Sequence, residues 1–479
     1  MKRRWLFITI LVVPIIGFAV SEGIQMHFNS QLRTALRAKF PNAERLAISS
    51  LTVDQLCEES GANKFRAICK TNRNLNLMST AALLSGGIGL ALLLAIKIAG
   101  SISKNNRSIL LATFKPGLYI TSVILIILIA IHAAVAIGAI YYGEPILVKR
   151  LHVGIILMIA IGAFCGITAM AKTIFSMVHR ASTFVIGTSV TRDEAPELWN
   201  QVDYIADKLN ALRPQHIVVG LDSNFFVTEA DVACLNGNFS GRTMYCSIPL
   251  SRILTKDEFS SVIGHELGHF KGLDTKFSVS FYPIYRGTIS SLASLHRTGG
   301  GNSAFIALLP AIAILSYFLE CFSVSESRIS RDRELAADQA GASIAGAEIM
   351  GASLVKIHAF SGHWGSIQKA SIEALQSGKA LSNMSKTFAE SIADNADAKV
   401  LEGITETQLS HPTDSHPPLG IRLDSLGVTL EEVASASLSV TPSDAAITFI
   451  HDFEQKEEEI SKTFQMILAK KLEMKQPAA

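Results

Sequence analysis

The chain carries little charge for its length. Of 479 residues, 18% are charged and 49% are hydrophobic, and the mean hydropathy is +0.33. Soluble domains carry about 25% charged residues, so composition argues against an ordinary soluble enzyme. Net charge is nearly absent too, at +2 with histidines neutral. No basic stripe is interleaved with aromatics, so no nucleic-acid partner is expected. Internal repeats and low-complexity segments are missing, which excludes a repeat array. The six cysteines include no C-x-x-C pair, and Cys234 and Cys246 are assigned no chemistry.

Long apolar runs are what the chain has instead. They cover residues 5–20, 81–98, 118–142, 153–171 and 304–322, each near the roughly 20 residues that span a bilayer. The first follows Lys2, Arg3 and Arg4. It reads as an uncleaved anchor; a cleaved signal peptide is the alternative, with Gly17-Phe18-Ala19 as a small-x-small site inside the apolar run. Basic residues mark the cytoplasmic ends of spans. Lys2 to Arg4 place the N-terminus inside, and Lys104, Arg107 and Lys115 agree. Lys149 and Arg150, on the outer side, count against the pattern. Residues 21–79 are then extracytoplasmic, where Cys57 and Cys69 either form a disulfide or remain two thiols. Cys165 and Cys321 lie in apolar segments.

From Thr191 the character changes. Residues 192–212 (RDEAPELWNQVDYIADKLNAL) space apolar residues as a helix does. The stretch that follows alternates β-branched runs with turn residues and reads as strands. A short strand is expected over residues 243–247. Thr255 and Glu258 then form a capping box, which puts His265-Glu266-Leu267-Gly268-His269 on a helix.

Residues four apart share a helix face. His265 and His269 can therefore offer one imidazole each to a single zinc ion, with Glu266 beside it as general base for water. Chance supplies this five-residue pattern in roughly one chain in a hundred of this length, and the alternative is a solvent-facing helix. Gly268 costs a helix about 1 kcal/mol against alanine, which suggests a close neighbour. A third ligand is needed. In residues 327–341 (SRISRDRELAADQAG), Glu334 and Asp338 are again four apart. Glu334 can bind the metal, and Asp338 can accept a hydrogen bond from a ligating histidine. An exposed charged helix is the alternative.

These residues resemble the membrane zinc endopeptidases of metallopeptidase family 48, which include the HtpX-like and CAAX prenyl protease 1-like groups. HELGH, then ELAAD beyond an apolar insertion, then Ser415-His416-Pro417-Pro418 with Arg422 follow the family order over residues 195–426. The resemblance implies one Zn²⁺ per chain on His265, His269 and Glu334, with Glu266 as base. Asp338 would orient a ligand, and Arg422 would brace the active-site loop through an ion pair. His416 would lie near the substrate and stabilise the developing oxyanion. The strand of Thr243, Met244, Tyr245, Cys246 and Ser247 would pair with an extended substrate. The family's Asn-Ala pair has no assignable counterpart, and neither Asn236 nor Asn238 is carried over. His411 has none either.

The expected fold is mainly α, a polytopic membrane helical protein with a zincin-type α+β metalloprotease domain: an HExxH helix and a short sheet whose edge strand pairs with substrate. Its parts are an anchor (1–20), an extracytoplasmic loop (21–79), three transmembrane helices (80–172), the protease domain in two pieces (173–276 and 326–430) around a membrane-associated hairpin (277–325), and a helical C-terminal region (431–479). The hairpin follows from topology: His269 and Glu334 must meet on one side of the membrane, so the chain between them crosses an even number of times. Arg286 and Glu320 would face protein or water, and His132 reads as a packed histidine.

The expected function is zinc-dependent peptide-bond hydrolysis from the cytoplasmic face of a bacterial inner membrane. The partners would be membrane lipid and a polypeptide, a misfolded membrane protein or a lipidated peptide. The rivals are a catalytically silent membrane scaffold and a transporter relaying protons through His132 and Glu320. The topology predicts that Cys57 and Cys69, once reduced, react with a membrane-impermeant thiol reagent in intact cells. Labelling only after lysis would overturn it.

Overall fold

The structure is a computed structural model that describes residues 3–41, 45–59, 65–176, 182–271, 303–393, 398–404 and 417–473. The chain divides into two compact units, Met1–His179 with Ile284–Ser325, and Arg180–Pro283 with Glu326–Ala479. In chain order, α1 (Arg3–Lys39), α2 (Arg45–Ser50), α3 (Val53–Glu59), α4 (Arg66–Ile102), α5 (Arg107–Leu147) and α6 (Val153–Ser176) come first. Strands β1 (Ser182–Phe184) and β2 (Gly187–Val190), helix α7 (Pro196–Leu209), strands β3 (His216–Gly220), β4 (Phe226–Thr228), β5 (Asp231–Cys234), β6 (Gly237–Phe239) and β7 (Thr243–Ser247), and helices α8 (Ile248–Ile253) and α9 (Lys256–Lys271) follow. The remainder is helical: α10 (Ser303–Ala345), α11 (Ala347–Phe360), α12 (His363–Gln376), α13 (Met384–Ala393), α14 (Leu419–Leu426), α15 (Leu430–Leu438) and α16 (Phe453–Glu473).

In the first unit, α1, α4, α5, α6 and the apolar part of α10 hold the five apolar runs, and these helices are long and apolar enough to cross a membrane. Small residues let them approach. A side chain at Gly17 would overlap Val135, and one at Gly89 would overlap Ile10. Helix α1 has 37 residues, which is about 55 Å of rise against about 30 Å of hydrocarbon. The excess is polar. Ser79 donates to Glu22 at 3.0 Å, Gln25 to Asn76 at 2.8 Å and Asn76 to Asp54 at 2.8 Å. Asn29 accepts from the backbone N–H of Val53 at 2.7 Å. Residues 21–79 are thus a helical head in their described parts, where the sequence suggested a loop. Its helices continue past their apolar stretches on amide and carboxylate contacts, which hydropathy does not register. A disulfide between Cys57 and Cys69 closes this head. Of the expected hairpin over residues 277–325, the first limb lies outside the described residues, and the expected second limb falls on the start of α10.

In the second unit, the four-stranded sheet has the order β2-β3-β7-β4, and the three-stranded sheet β1-β5-β6. Strand β7 runs parallel to β3 and antiparallel to β4, with Thr243 opposite Thr228 and Tyr245 opposite Phe226. All five β7 residues are buried. This corrects one expectation. Residues Thr243, Met244, Tyr245, Cys246 and Ser247 form an inner strand, and the edge on that side belongs to β4. The stretch that holds β4 reads as strands, but the order in which strands pair is not visible in local sequence.

Helix α7 forms as the spacing predicts, with Pro196 in its first turn and left-handed Asn210 (φ 52°) at its end. It buries Leu198, Val202 and Ile205 in a core shared with β3, β7 and α9. The C-terminal helix α16 is anchored by buried charge. Glu457, with no exposed surface, receives the Arg252 guanidinium from α8 (2.6 Å from Nε) and the Asn383 amide at 2.7 Å. Removing one member of a buried pair strands the other, at about 3–5 kcal/mol. Arg252→Ala is expected to destabilise the protein by about that much in denaturant titrations. The double replacement Arg252→Met with Glu457→Met should recover most of the loss.

Candidate metal centre

Helix α9 starts where the capping box put it. The Thr255 N–H donates to the Glu258 carboxylate at 2.8 Å, and the Glu258 N–H donates to the Thr255 hydroxyl at 3.2 Å. A residue the sequence reading missed secures this start. Lys356 of α11, completely buried, donates from Nζ to Glu258 at 2.7 Å, to the Ser439 carbonyl at 2.7 Å and to the Ile253 carbonyl at 3.3 Å. A buried ammonium persists only when paired in this way. Its sequence signal was faint: a lysine inside the apolar run of α11.

Two turns along α9, the helix lies against α10 across residues with little or no side chain. A Cβ on Gly268 would stand 3.1 Å from that of Ala340, and one on Gly264 only 2.7 Å from Ile344. On the facing side, a Cβ on Gly341 would lie 2.6 Å from the Ser261 carbonyl oxygen. Interaxial distance depends on the side chains at the contact, so these glycines set how near the two helices come. The neighbour that Gly268 implied in the sequence is therefore Ala337 and Ala340 of α10.

The close crossing assembles the cluster. One ligand atom from each of His265, His269 and Glu334 lies within 4.8 Å of the other two. His265 Nε2 is 3.8 Å from Glu334 Oε2, and His269 Nε2 is 3.6 Å from Glu334 Oε1. His265 uses its other ring nitrogen on Asp338, Nδ1 to Oδ1 at 2.8 Å. A carboxylate only accepts, so Nδ1 carries a proton and Nε2 is the ring nitrogen that faces Glu334.

Asp338 has no exposed surface, and Arg422 of α14 completes its partners. Arg422 Nε donates to Oδ2 at 2.8 Å and Nη2 to Oδ1 at 2.6 Å. Nη2 is also 4.0 Å from Glu334. Burial alone would lower the basicity of the guanidinium. Its hydrogen bond to Asp338, and the charges of Asp338, Glu334 and Glu266, outweigh burial and raise it. The same cation works with burial on His358 of α11: burial first, then Arg422, push that imidazole below its ordinary range.

Glu266 is buried. Burial, and then the charge of Glu266, push the Cys246 thiol well up, so Cys246 stays a neutral thiol. Tyr245, on the opposite face of β7, stacks on Phe226 and accepts from the Asp222 N–H at 2.8 Å. Asn236 has a structural task instead of a catalytic one. Its side-chain amide pairs with the Ser189 backbone both ways, at 2.8 and 3.0 Å, and so joins the β5–β6 turn to β2. His411 and His416 lie outside the described residues.

Among the described residues, His265, His269 and Glu334 are the group whose donors could hold one metal ion. Two imidazole nitrogens and a carboxylate oxygen form a donor set that zinc accepts, and the Asp338 contact fixes the tautomer that ligation requires.

Comparison with known proteins agrees with this geometry. Residues 193–429 match the family model described as "Peptidase family M48". The Protease HtpX homolog of Archaeoglobus fulgidus is 27% identical over 273 residues, covering 54% of this chain and 76% of the relative. That of Pyrobaculum aerophilum is 28% identical over 275 residues, covering 51% and 76%. That of Pyrococcus furiosus is 31% identical over 172 residues, covering 32% and 53%. The matched segment holds all of α9, the candidate metal-binding group and Arg422, and on it the chain belongs to peptidase family M48.

Proposed function

We propose that this membrane protease is a zinc-dependent endopeptidase. It cuts polypeptides that have lost their fold, from the cytoplasmic side of a bacterial inner membrane. One observation carries the reading: His265, His269 and Glu334 converge, with Asp338 and Arg422 behind them. The basic residues at 2–4, 104, 107 and 115 support the orientation.

His265, His269 and Glu334 would hold the ion and leave a fourth position open. When bound, zinc supplies the Lewis acidity that lets water act as a nucleophile near neutral pH. Glu266 accepts the proton of the attacking water and returns it to the leaving amine. Asp338 holds His265 in register, and Arg422 compensates the Asp338 charge in the interior. His416 is assigned to the developing oxyanion.

Substrate selection follows from β4. Its outer side faces no other strand among the described residues, so an extended chain can add there through main-chain hydrogen bonds. Folded proteins have already paired their backbones. A site that reads backbone therefore selects chains with unpaired segments, which supports a quality-control role.

Glu266→Gln is expected to keep one zinc per chain and lose about 10²–10⁴-fold in cleavage of an unfolded protein. Activity that survives this substitution would overturn the mechanism, and wild-type protein that binds no zinc would overturn the metal assignment. Asp338→Ala should weaken zinc binding about 10–100-fold, read by competition with a chelator. Gly341→Ala should release zinc although it removes no ligand, with helicity by circular dichroism retained; full zinc content would show that the crossing tolerates the added methyl.

A further inference from the structure

The four-stranded sheet has two edges, and one of them is closed. The outward backbone of β2 is already paired. Its Gly187 carbonyl accepts from the Leu235 N–H at 2.9 Å, and the Asn236 side chain takes both the N–H and the carbonyl of Ser189. The other edge is β4, which pairs with β7 over Phe226, Val227 and Thr228. A ladder of three pairs supplies few main-chain bonds, so the position of β4 depends also on its side chains.

Those side chains alternate between two faces. Phe225 is buried edge-on against Phe259 of α9, 5.7 Å between ring centroids, and Val227 packs on the same core. Phe226, between them, stacks on Tyr245 of β7 at 4.9 Å and 6°. Tyr245 has no exposed surface, and it does more than stack. Its hydroxyl accepts from the Asp222 N–H at 2.8 Å, in the turn that leads from β3 into β4. Gly220, the last residue of β3, makes room for that hydroxyl: a Cβ there would stand 2.5 Å from the phenolic oxygen. Burial, and then the charge of Asp222, push the hydroxyl well up, so it stays a neutral phenol. One side chain thus grips the turn at Asp222 and the strand at Phe226.

We infer that Tyr245 is a positioning residue for substrate: from the inner strand it sets where β4 presents its open edge. The inference rests on the proposed addition of substrate to β4 and names the residue that prepares that edge. Tyr245 acts through β4 and not on the bound chain. His265, Glu266, His269 and Glu334 lie on other elements, α9 and α10. A displaced β4 therefore weakens capture of an extended chain and leaves the chemical step alone.

The test uses the full chain and a permanently unfolded probe, reduced and carboxymethylated lactalbumin. Tyr245→Phe keeps the ring and loses the hydroxyl. It should raise KM for cleavage of the probe about fivefold, the worth of one hydrogen bond, with kcat and zinc content unchanged. In the Glu266→Gln background, fluorescence anisotropy should show the same loss of affinity for the labelled probe. If Tyr245→Phe does not accumulate, the same outcomes are read from Phe226→Leu, which removes the stack and keeps the hydroxyl. An unchanged KM would overturn the role. So would a fall in kcat or zinc content at constant KM, which marks a residue that only supports the fold. Polyproline has no backbone N–H and should compete poorly for the probe. Competition as strong as that of unlabelled probe would overturn strand addition itself, and the role of Tyr245 with it.

Discussion

The close crossing of α9 over α10 is the constraint on which the protease unit depends. Three candidate ligands on two helices can converge only if the helices nearly touch, and Gly264, Gly268 and Gly341 permit that approach. A bulkier contact would move Glu334 away from the histidines, because helix spacing grows with the side chains between the axes. The residues that determine the metal geometry are thus partly residues without side chains. They also explain why α10 carries an alanine and glycine face beside its two carboxylates.

Buried charge fixes what the crossing leaves free. Asp338 with Arg422, Glu258 with Lys356 and Glu457 with Arg252 each place a carboxylate in the interior with a cation against it. Such pairs add little net stability over an apolar core but penalise any arrangement that separates them. Here each joins elements distant in sequence: α10 with α14, the start of α9 with α11, and α8 with α16. The first holds the rotation of His265, the second the start of the helix bearing it, and the third the C-terminal helix.

Much of this was legible in the sequence. Fixed spacing on a helix made His265, His269, Glu334 and Asp338 readable, and the capping box set where α9 begins. Apolar length located the five long helices. What escaped was mostly non-local. Strand β4 lies in the stretch that reads as strands, but its place beside β7 is a matter of topology, which no local pattern shows. Lys356 meets Glu258 across 98 positions, and no local pattern announces such a partner. The helical head of residues 21–79 was hidden by its polarity, since amides that bond to one another look in sequence like amides that face water.

The shortness of β4 bears on turnover. On the proposed reading that substrate adds to β4, its three residues offer a bound chain only a few main-chain hydrogen bonds, each contributing about 1 kcal/mol net. A ligand held so lightly departs readily, and so do the two fragments of a cut chain. Under that proposal the enzyme forgoes tight capture and strict sequence preference. It gains the capacity to sample one exposed segment after another without being clogged by its own products.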